Sequence, residues 1–477
     1  MSDQKKPPKE KPAEEPVLMQ KLVSLAKRRG LIFQSSEIYG GLRSAYDYGP
    51  LGVELKRNIK NLWWRTMVHE REDVVGIDAS IIMHPRVWEA SGHVAGFTDP
   101  LVDCRNCQNR FRADHAPKDD AGKIKCPSCG SQNLSDVRKF NLMFKTHLGP
   151  VEDESATVFL RPETAQAMFV NFLNVQQSYR LKPPFGIAQQ GKSFRNEITV
   201  EHFTFRSCEF EQMEMEYFVP PPQYSDEGKG PDFWYDYWKK LRLDWYTSTL
   251  GIRAEKLRLR EHDADELAHY AKGCADVEYD YPWGWGELEG IASRSDFDLT
   301  QHQKWSNKKL TYFDPDKKAH YLPWVIEPAA GADRTALAVL IDAYDEEPPS
   351  PDAKGDNVEP RVLLHLDPRV APIKVAVLPL VKKEGMPERA REIIRAFFKN
   401  GVNAFYDEKD AVGRRYRRQD EVGTPFCITV DGQTAQDDTV TVRYRDDMQQ
   451  DRIKIADALD VITKKVMMGG RDVRKPG

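Results

Sequence analysis

A chain of 477 residues, 40% hydrophobic and 30% charged, has room for two or three cores and the make-up of a highly charged globular protein. Its formal charge of −4 and pI near 6.3 exclude a protein that coats nucleic acid through bulk charge, leaving only local basic patches for that purpose. No run approaches the roughly 20 apolar residues of a membrane-spanning helix, and residues 1–16, rich in Lys, Pro and Glu, lack the apolar stretch of a secretory signal. A disordered tail, no membrane contact and a cytoplasmic address are expected.

After the tail, Val17 to Arg29 carries apolar residues at helical spacing and stops at Gly30, and Leu31 to Phe33 reads as a strand. Gly49-Pro50-Leu51-Gly52 opens a second helix, Val53 to Glu70, in which Leu55, Ile59, Leu62, Trp63 and Met67 make one apolar face. Val74 to Met83 then reads as a strand running into His84-Pro85.

Between Cys104 and Lys139 lie two CxxC pairs, Cys104/Cys107 and Cys126/Cys129, separated by 18 residues. Two such knuckles suit one tetrahedral Zn2+ held by four thiolates, and a closed site of that kind is structural. Redox-active cysteines and the remnant of a lost metal site are the competing readings.

Val158 to Val219 alternates apolar runs with polar turns and suggests an antiparallel sheet. Within it, Gly191 to Ile198 and Thr204 to Glu214 read as two strands joined by a charged loop. That layout is a nucleotide clamp: Arg195 offers a rigid donor fork to a phosphate, Glu197 an acceptor to an adenine amino group, and Phe210 a face for the base. Arg206 is placed for the outer phosphates, with Asn196 and Phe205 beside it. An isolated Arg-x-Glu on a strand is more ordinarily a cross-strand ion pair.

Phe233 to Tyr246 reads as a helix whose Trp234, Tyr237, Trp238 and Leu241 serve packing, and Glu255 to Asp276 as a strand and a helix before the turn Trp283-Gly284-Trp285-Gly286. Val325 to Arg334 runs from a strand into an apolar helix. There Gly331 lets a ligand approach the backbone, and Arg334 can lie as a cation over an adenine. Asp345 to Glu359 is a linker, crowded with Asp, Glu, Pro and Gly. Strand and helix then alternate: Ile373–Pro379, Glu388–Lys399, Val402–Tyr406, a turn at Gln419–Val422, Phe426–Val430, Val440–Arg445 and a closing helix Arg452–Val466. The expected division is a tail 1–16, a first domain 17–345 carrying an insertion 103–140, a linker 346–360 and a second domain 361–477.

Taken in order, the helix–strand–proline layout, the Arg195 clamp and the Arg334 strand–helix resemble motifs 1, 2 and 3 of the class II aminoacyl-tRNA synthetases. Five further strings, Ser35–Gly41, Tyr46–Gly52, Arg161-Pro162-Glu163-Thr164-Ala165-Gln166, Glu211–Glu214 and Glu287–Arg294, resemble the dimeric glycyl-tRNA synthetases over nearly the whole chain from Val17. The resemblance implies an α+β fold with an antiparallel catalytic sheet, a zinc-ribbon-like insertion and a C-terminal α/β anticodon-binding domain. It also implies a homodimer that activates glycine with ATP and Mg2+ and passes it to the 3' end of a tRNA. Carried over residue by residue, Arg195 and Arg334 serve catalysis, Glu163, Glu214 and Glu327 surround the glycine ammonium, Arg294 faces its carboxylate, and Glu287 and Leu288 border the ATP. Three carboxylates make a small, strongly negative pocket, and walls that clash with every larger side chain would exclude other amino acids sterically.

Two positions depart from the family pattern: Ala329 stands where a serine is common, and Asp333 where many class II enzymes have glycine or glutamate. In the C-terminal part, Arg414, Arg415, Arg417 and Arg418 around Tyr416 suit phosphate contacts and base stacking, or are a solvated charged face. Competing functions are a class II synthetase for another small amino acid, and a catalytically inactive, nucleic-acid-binding accessory protein with this fold. The latter predicts a degraded nucleotide site, whereas Arg195, Glu197, Phe210 and Arg334 are all present. A zinc-dependent DNA-binding protein is weaker still, given one zinc site and an acidic pI.

Overall fold

The computed structural model describes residues 16–42, 44–198, 200–268, 271–348 and 360–470. The expected tail, up to residue 15, and most of the expected linker, residues 349–359, lie outside them.

A seven-stranded sheet forms the centre of the larger part. We number its strands β1 (Val74–Gly76), β2 (Phe185–Phe194), β3 (Glu209–Val219), β4 (Leu257–Glu261), β5 (Gly273–Tyr281), β6 (Gly284–Ser295) and β7 (Trp324–Gly331). Their spatial order is β4-β5-β6-β7-β3-β2-β1, antiparallel throughout except for β1 beside β2. Both faces are covered, so β3 is buried along most of its length. Because strand side chains alternate, Met213, Met215 and Tyr217 join the large core while Phe218 joins a second one on the opposite face. Gln212, Glu214 and Glu216 therefore share the face of Phe218.

Four helices build the large core: α1 (Val17–Arg28), α2 (Pro50–Trp64), α3 (Pro231–Ser248) and α4 (Ala332–Ala343). Every residue of α4 except Arg334 is buried, the pattern of a helix surrounded by protein. In α3, Trp238, Trp245 and Tyr246 pack inward, and Arg242 is buried with them in a bidentate pair with Glu289 of β6, at 2.6 and 3.1 Å. The insertion forms a three-stranded sheet, Thr98–Asp103 between Arg110–Arg112 and Arg138–Asn141, over a small core containing Val102 and Phe111.

A second, five-stranded sheet has its own core. Its strands are β8 (Val375–Pro379), β9 (Ala404–Tyr406), β10 (Phe426–Val430), β11 (Thr439–Tyr444) and β12 (Gln450–Lys454), with helices α5 (Met386–Lys399), α6 (Val412–Glu421) and α7 (Ile455–Met468). The order is β9-β8-β10-β11-β12, parallel around β8 and antiparallel beyond β10. The two parts meet where Arg29, just after α1, pairs with Glu421 at 2.6 Å. Tyr344–Glu347 and Arg361–Leu364, the flanks of the expected linker, pair with each other. Among the described residues no helix is long and apolar enough to cross a membrane.

Several sequence expectations are corrected. The strand over Val74–Met83 stops at Gly76, and Pro85 at the first helical position starts a helix, Pro85–Ala90, capped by His84. The region Val158–Val219 holds two helices, Ala165–Val170 and Phe172–Tyr179, before its long strands. No α-helix occurs among the described residues of Glu255–Asp276, where β4 and β5 pair instead. Gln419–Val422 is largely the end of α6, and Arg452–Lys454 belongs to β12, so the closing helix starts at Ile455.

Candidate active site

A cavity of about 360 Å³ opens between the β2–β3 hairpin and the β5–β6–β7 face. The structure brings Arg195, Glu197, Phe205, Arg206, Phe210, Glu287, Gly331 and Arg334 to its walls, together with Glu163, Glu214, Arg294 and Glu327. Leu288 is instead buried in the large core, and the backbone N–H of Asn196 donates to Leu142 O at 2.8 Å.

Arg195 follows the last residue of β2, Phe194, which the antiparallel register pairs with Glu209. Its Nε donates to Pro162 O at 3.0 Å, and its guanidinium lies between the rings of Phe97 and Phe210, 5.4 and 5.3 Å from their centroids. Phe97 sits at the root of the insertion. Earlier in β2, a Cβ on Gly191 would come within 2.2 Å of Arg161 Nη2, so any larger residue there must displace that guanidinium. Arg161 is buried beneath the hairpin, donating to Lys192 O at 2.7 Å and Ala79 O at 2.9 Å, and its role is structural.

On the other wall Arg334 lies over Phe205, 4.6 Å from the ring centroid, and pairs with Glu287 at 2.9 Å. Phe205 meets Tyr281 edge-on, and Tyr281 stacks on Trp283 at 4.6 Å, so the Gly/Trp turn braces the clamp loop. Asp333 accepts from Tyr48 Oη at 2.7 Å, Lys56 Nζ at 2.8 Å and the Glu211 N–H at 2.6 Å. Lys56 and Lys60 also hold Glu211, at 2.7 and 2.6 Å. This network fastens α2, β3 and α4 together and gives Asp333 a positioning role.

Deeper in the cavity acids outnumber bases. Arg294 binds Glu327 through Nη1 at 2.9 and 2.8 Å and Asp298 through Nε at 2.8 Å and Nη2 at 3.0 Å. Glu163 accepts from Gln166 at 3.0 Å and lies 3.2 Å from His93. Burial would raise the Glu163 carboxyl, but the charges of His93 and Arg294 outweigh it and hold the group well below the usual carboxylate range. Glu214 takes the N–H of Thr164 at 2.9 Å and hydrogen bonds from the Thr164 hydroxyl and Gln212. Burial, with the charges of Glu327 and Glu163, pushes its carboxyl up to about 7. Burial and Glu163 also raise Glu327, against the pull of Arg294.

Glu216, two residues further along β3, is completely buried, and neither carboxyl oxygen has a hydrogen-bond partner. Burial and the negative charge of Glu327 raise it well above the normal range. Sequence reasoning passed over Glu216, His93, Asp298, His302 and Phe97, and quoted Gln166 without giving it a role. Glu216 alone left a trace there: alternation along β3 puts it on the face of Glu214. Asp298 and Gln166 meet the site through near partners, Arg294 four residues away and Glu163 three, whereas His93 and His302 do so through long-range pairing, as with His302 Nε2 and Gln166 Oε1 at 2.8 Å.

In the insertion, the Sγ atoms of Cys104 and Cys129 are 3.6 Å apart, those of Cys107 and Cys126 3.5 Å, and all four lie within 4.8 Å of one another. Each knuckle is closed by a backbone bond of 2.9 Å, Gln108 N to Cys104 O and Gly130 N to Cys126 O, with Gln108 and Gly130 at positive φ. The donor set converges as one tetrahedral ion demands.

The C-terminal basic cluster divides. Arg415 is buried and donates to Pro379 O, Asp407 O and Leu380 O. Arg418 pairs with Asp407 and Asp410 at 2.7 and 2.8 Å, and Tyr416 meets Thr429 Oγ1 at 2.5 Å. Arg414 and Arg417 face solvent.

Solved structures with this architecture include prolyl-tRNA synthetase from Cryptosporidium parvum, in its complexes with L-proline and AMP and with halofuginone and AMPPNP. The TM-scores are 0.62 and 0.64 at 14% and 13% identity, covering 94% and 96% of this chain and 76% and 77% of those chains. The fold is that of a class II aminoacyl-tRNA synthetase, and residues 374–465 match the anticodon binding domain family. Glycine–tRNA ligases from Treponema denticola and Thermobifida fusca are each 52% identical, over 94% and 92% of this chain and 97% and 96% of the relatives. That from Borreliella burgdorferi strain ZS7 is 51% identical over 96% of this chain and all of the relative. The chain belongs to the glycine–tRNA ligase family.

Proposed function

We propose that this chain activates glycine with ATP to form glycyl-adenylate and pyrophosphate, then transfers the glycyl group to the 3' end of its tRNA. The observation that carries this reading is the cavity's polarity, with guanidinium groups on the clamp and facing walls and an excess of carboxylates at its end. A substrate bearing an ammonium at one end and a carboxylate to be joined to a phosphate fits that gradient.

In this reading Glu163, Glu214 and Glu327 receive the ammonium and Arg294 faces the carboxylate. Arg195, already clamped between two rings, presents its fork to the α-phosphate and stabilises charge as the carboxylate attacks. Arg206 takes the outer phosphates, Glu197 the adenine amino group, and Arg334 and Phe210 the faces of the base, with Glu287 and Gly331 at its border. ATP enters as its magnesium complex. No side chain is needed as an obligatory base, since the attacking carboxylate is already ionised. Ala329 leaves the ammonium to carboxylates without help from a hydroxyl.

The four cysteines would hold a structural Zn2+, and Arg414 and Arg417 are the members of the basic cluster placed to meet RNA phosphates. A homodimer built on the α2–β1 segment, working in the cytoplasm, completes the proposal. Arg195→Ala should lower glycine-dependent ATP–pyrophosphate exchange by about 100–1,000-fold or more while leaving a folded dimer. Near-normal exchange would sink the assignment.

A further inference from the structure

Outside the roles above, one wall of the cavity carries three side chains of a different chemistry. His262 follows β4, and its N–H donates to the Cys274 carbonyl at 2.9 Å, which places the two residues side by side on adjacent strands. Asp276 lies two residues further along β5 and so points to the same face as Cys274. His262 Nε2 and Asp276 Oδ2 are 2.8 Å apart, and one donor atom from each of the three residues lies within 4.8 Å of the others. Across the sheet, Ala292 opposes Cys274 and Gly290 opposes Asp276, so β6 adds no bulk above the group.

We propose that His262, Cys274 and Asp276 form a second metal site, open to the cavity, that takes a Zn2+-type divalent ion. A neutral imidazole, a thiolate and a carboxylate are borderline donors that favour Zn2+ over Mg2+ or Ca2+. Three protein ligands leave a fourth position for water, so the site exchanges its ion, unlike the closed cysteine cluster. Binding is acid–base chemistry alone: Cys274 gives its thiol proton to solvent, its sulfur pair and the His262 and Asp276 lone pairs go to the metal, and nothing is oxidised. The surroundings are negative, since Glu287 and Glu327 line the same cavity. An ion here would place fixed positive charge beside the carboxylates proposed to receive the glycine ammonium. Resting on that proposed function, metal binding should raise the KM for glycine.

The test uses the full chain with its cysteine cluster first filled with Zn2+, then titrated with Co2+. One further equivalent should bind, with the absorption of a thiolate–cobalt bond. Cys274→Ala and His262→Ala should each weaken it by at least the roughly 10–100-fold that loss of a mere supporting hydrogen bond costs. No thiolate–cobalt band, or the same band in Cys274→Ala, would show a His–Asp ion pair beside an ordinary thiol and overturn the site. In exchange assays, added Zn2+ should raise the glycine KM of the parent chain and not of Cys274→Ala. An unchanged KM with the site filled overturns the coupling. Loss of all exchange before metal is added would instead count against the proposed function, so the two failures are distinguishable.

Discussion

Buried charge is handled in opposite ways at the two ends of this molecule. In the C-terminal part, Asp420 is 1% exposed and meets two arginines, Arg443 through bonds of 2.8 and 2.9 Å and Arg361 at 2.9 Å. In the cleft, Arg294 pairs with Glu327 and Asp298 and His93 with Glu163, while Glu214 is held by Thr164 and Gln212 and Glu216 has no hydrogen-bond partner. Matched burial of that kind holds structure together, whereas an excess of one sign keeps groups away from their normal protonation and leaves a place for a counter-charged ligand. The surplus of acid, more than any single residue, distinguishes the working end from the scaffold.

Breaking the matched end should have the larger effect. Asp420→Ala leaves Arg361 and Arg443 buried without their shared carboxylate and should cost about 3–5 kcal/mol, read by denaturant unfolding. A loss below about 1 kcal/mol would mean that the two guanidinium groups find solvent instead.

At the unmatched end the sign reverses. Glu214 titrates near 7 in the fold against 4.5 for the free side chain. Between those values the native state holds more protons than the unfolded chain, so the stability this group contributes below about pH 4.5 is lost as pH rises through about 7, some 3 kcal/mol in all. Glu214→Gln should flatten that part of the stability–pH curve, and equal slopes in both proteins would refute it. Glycine binding to the parent chain near neutral pH should also release a proton, visible as heat that depends on the buffer.

The smallest effect belongs to Glu216. A carboxyl that stays protonated is close in shape to an amide, so Glu216→Gln should change stability by less than about 1 kcal/mol. A loss of several kcal/mol in the same unfolding assay would show that the group is ionised and paired after all.

The two ends were also unequally legible in the sequence. Arg195, Phe210, Glu214 and Arg334 could be found because strand–loop–strand and strand–helix strings keep their chemistry within a few residues. His93 and His302 could not, since they reach Glu163 and Gln166 only once the sheet and the Phe297–Ser306 helix are assembled, and Asp298, four residues from Arg294, pairs with it across the passage from β6 into that helix. The fold shows the same division. Helices with a strong apolar face, such as α2 and α5, were visible. In α6 the inward positions are Arg415, Gln419 and Asp420, whose burial is made possible by distant partners, and the segment looked like a charged patch before a turn. Likewise Asp451 and Arg452 hid β12, because its ladder to β11 and not its hydrophobicity defines it.

The contact of Phe97 with the Arg195 guanidinium has a thermodynamic corollary. Phe97 leads into the first strand of the cysteine-bearing insertion, and Leu142, just beyond its last strand, accepts the N–H of Asn196 at 2.8 Å. Order in the insertion and placement of the Arg195 guanidinium are thus parts of one equilibrium. Linkage makes such an arrangement reciprocal: if Arg195 takes the phosphate as proposed, whatever frays the insertion weakens that grip, and bound nucleotide shields the insertion from fraying.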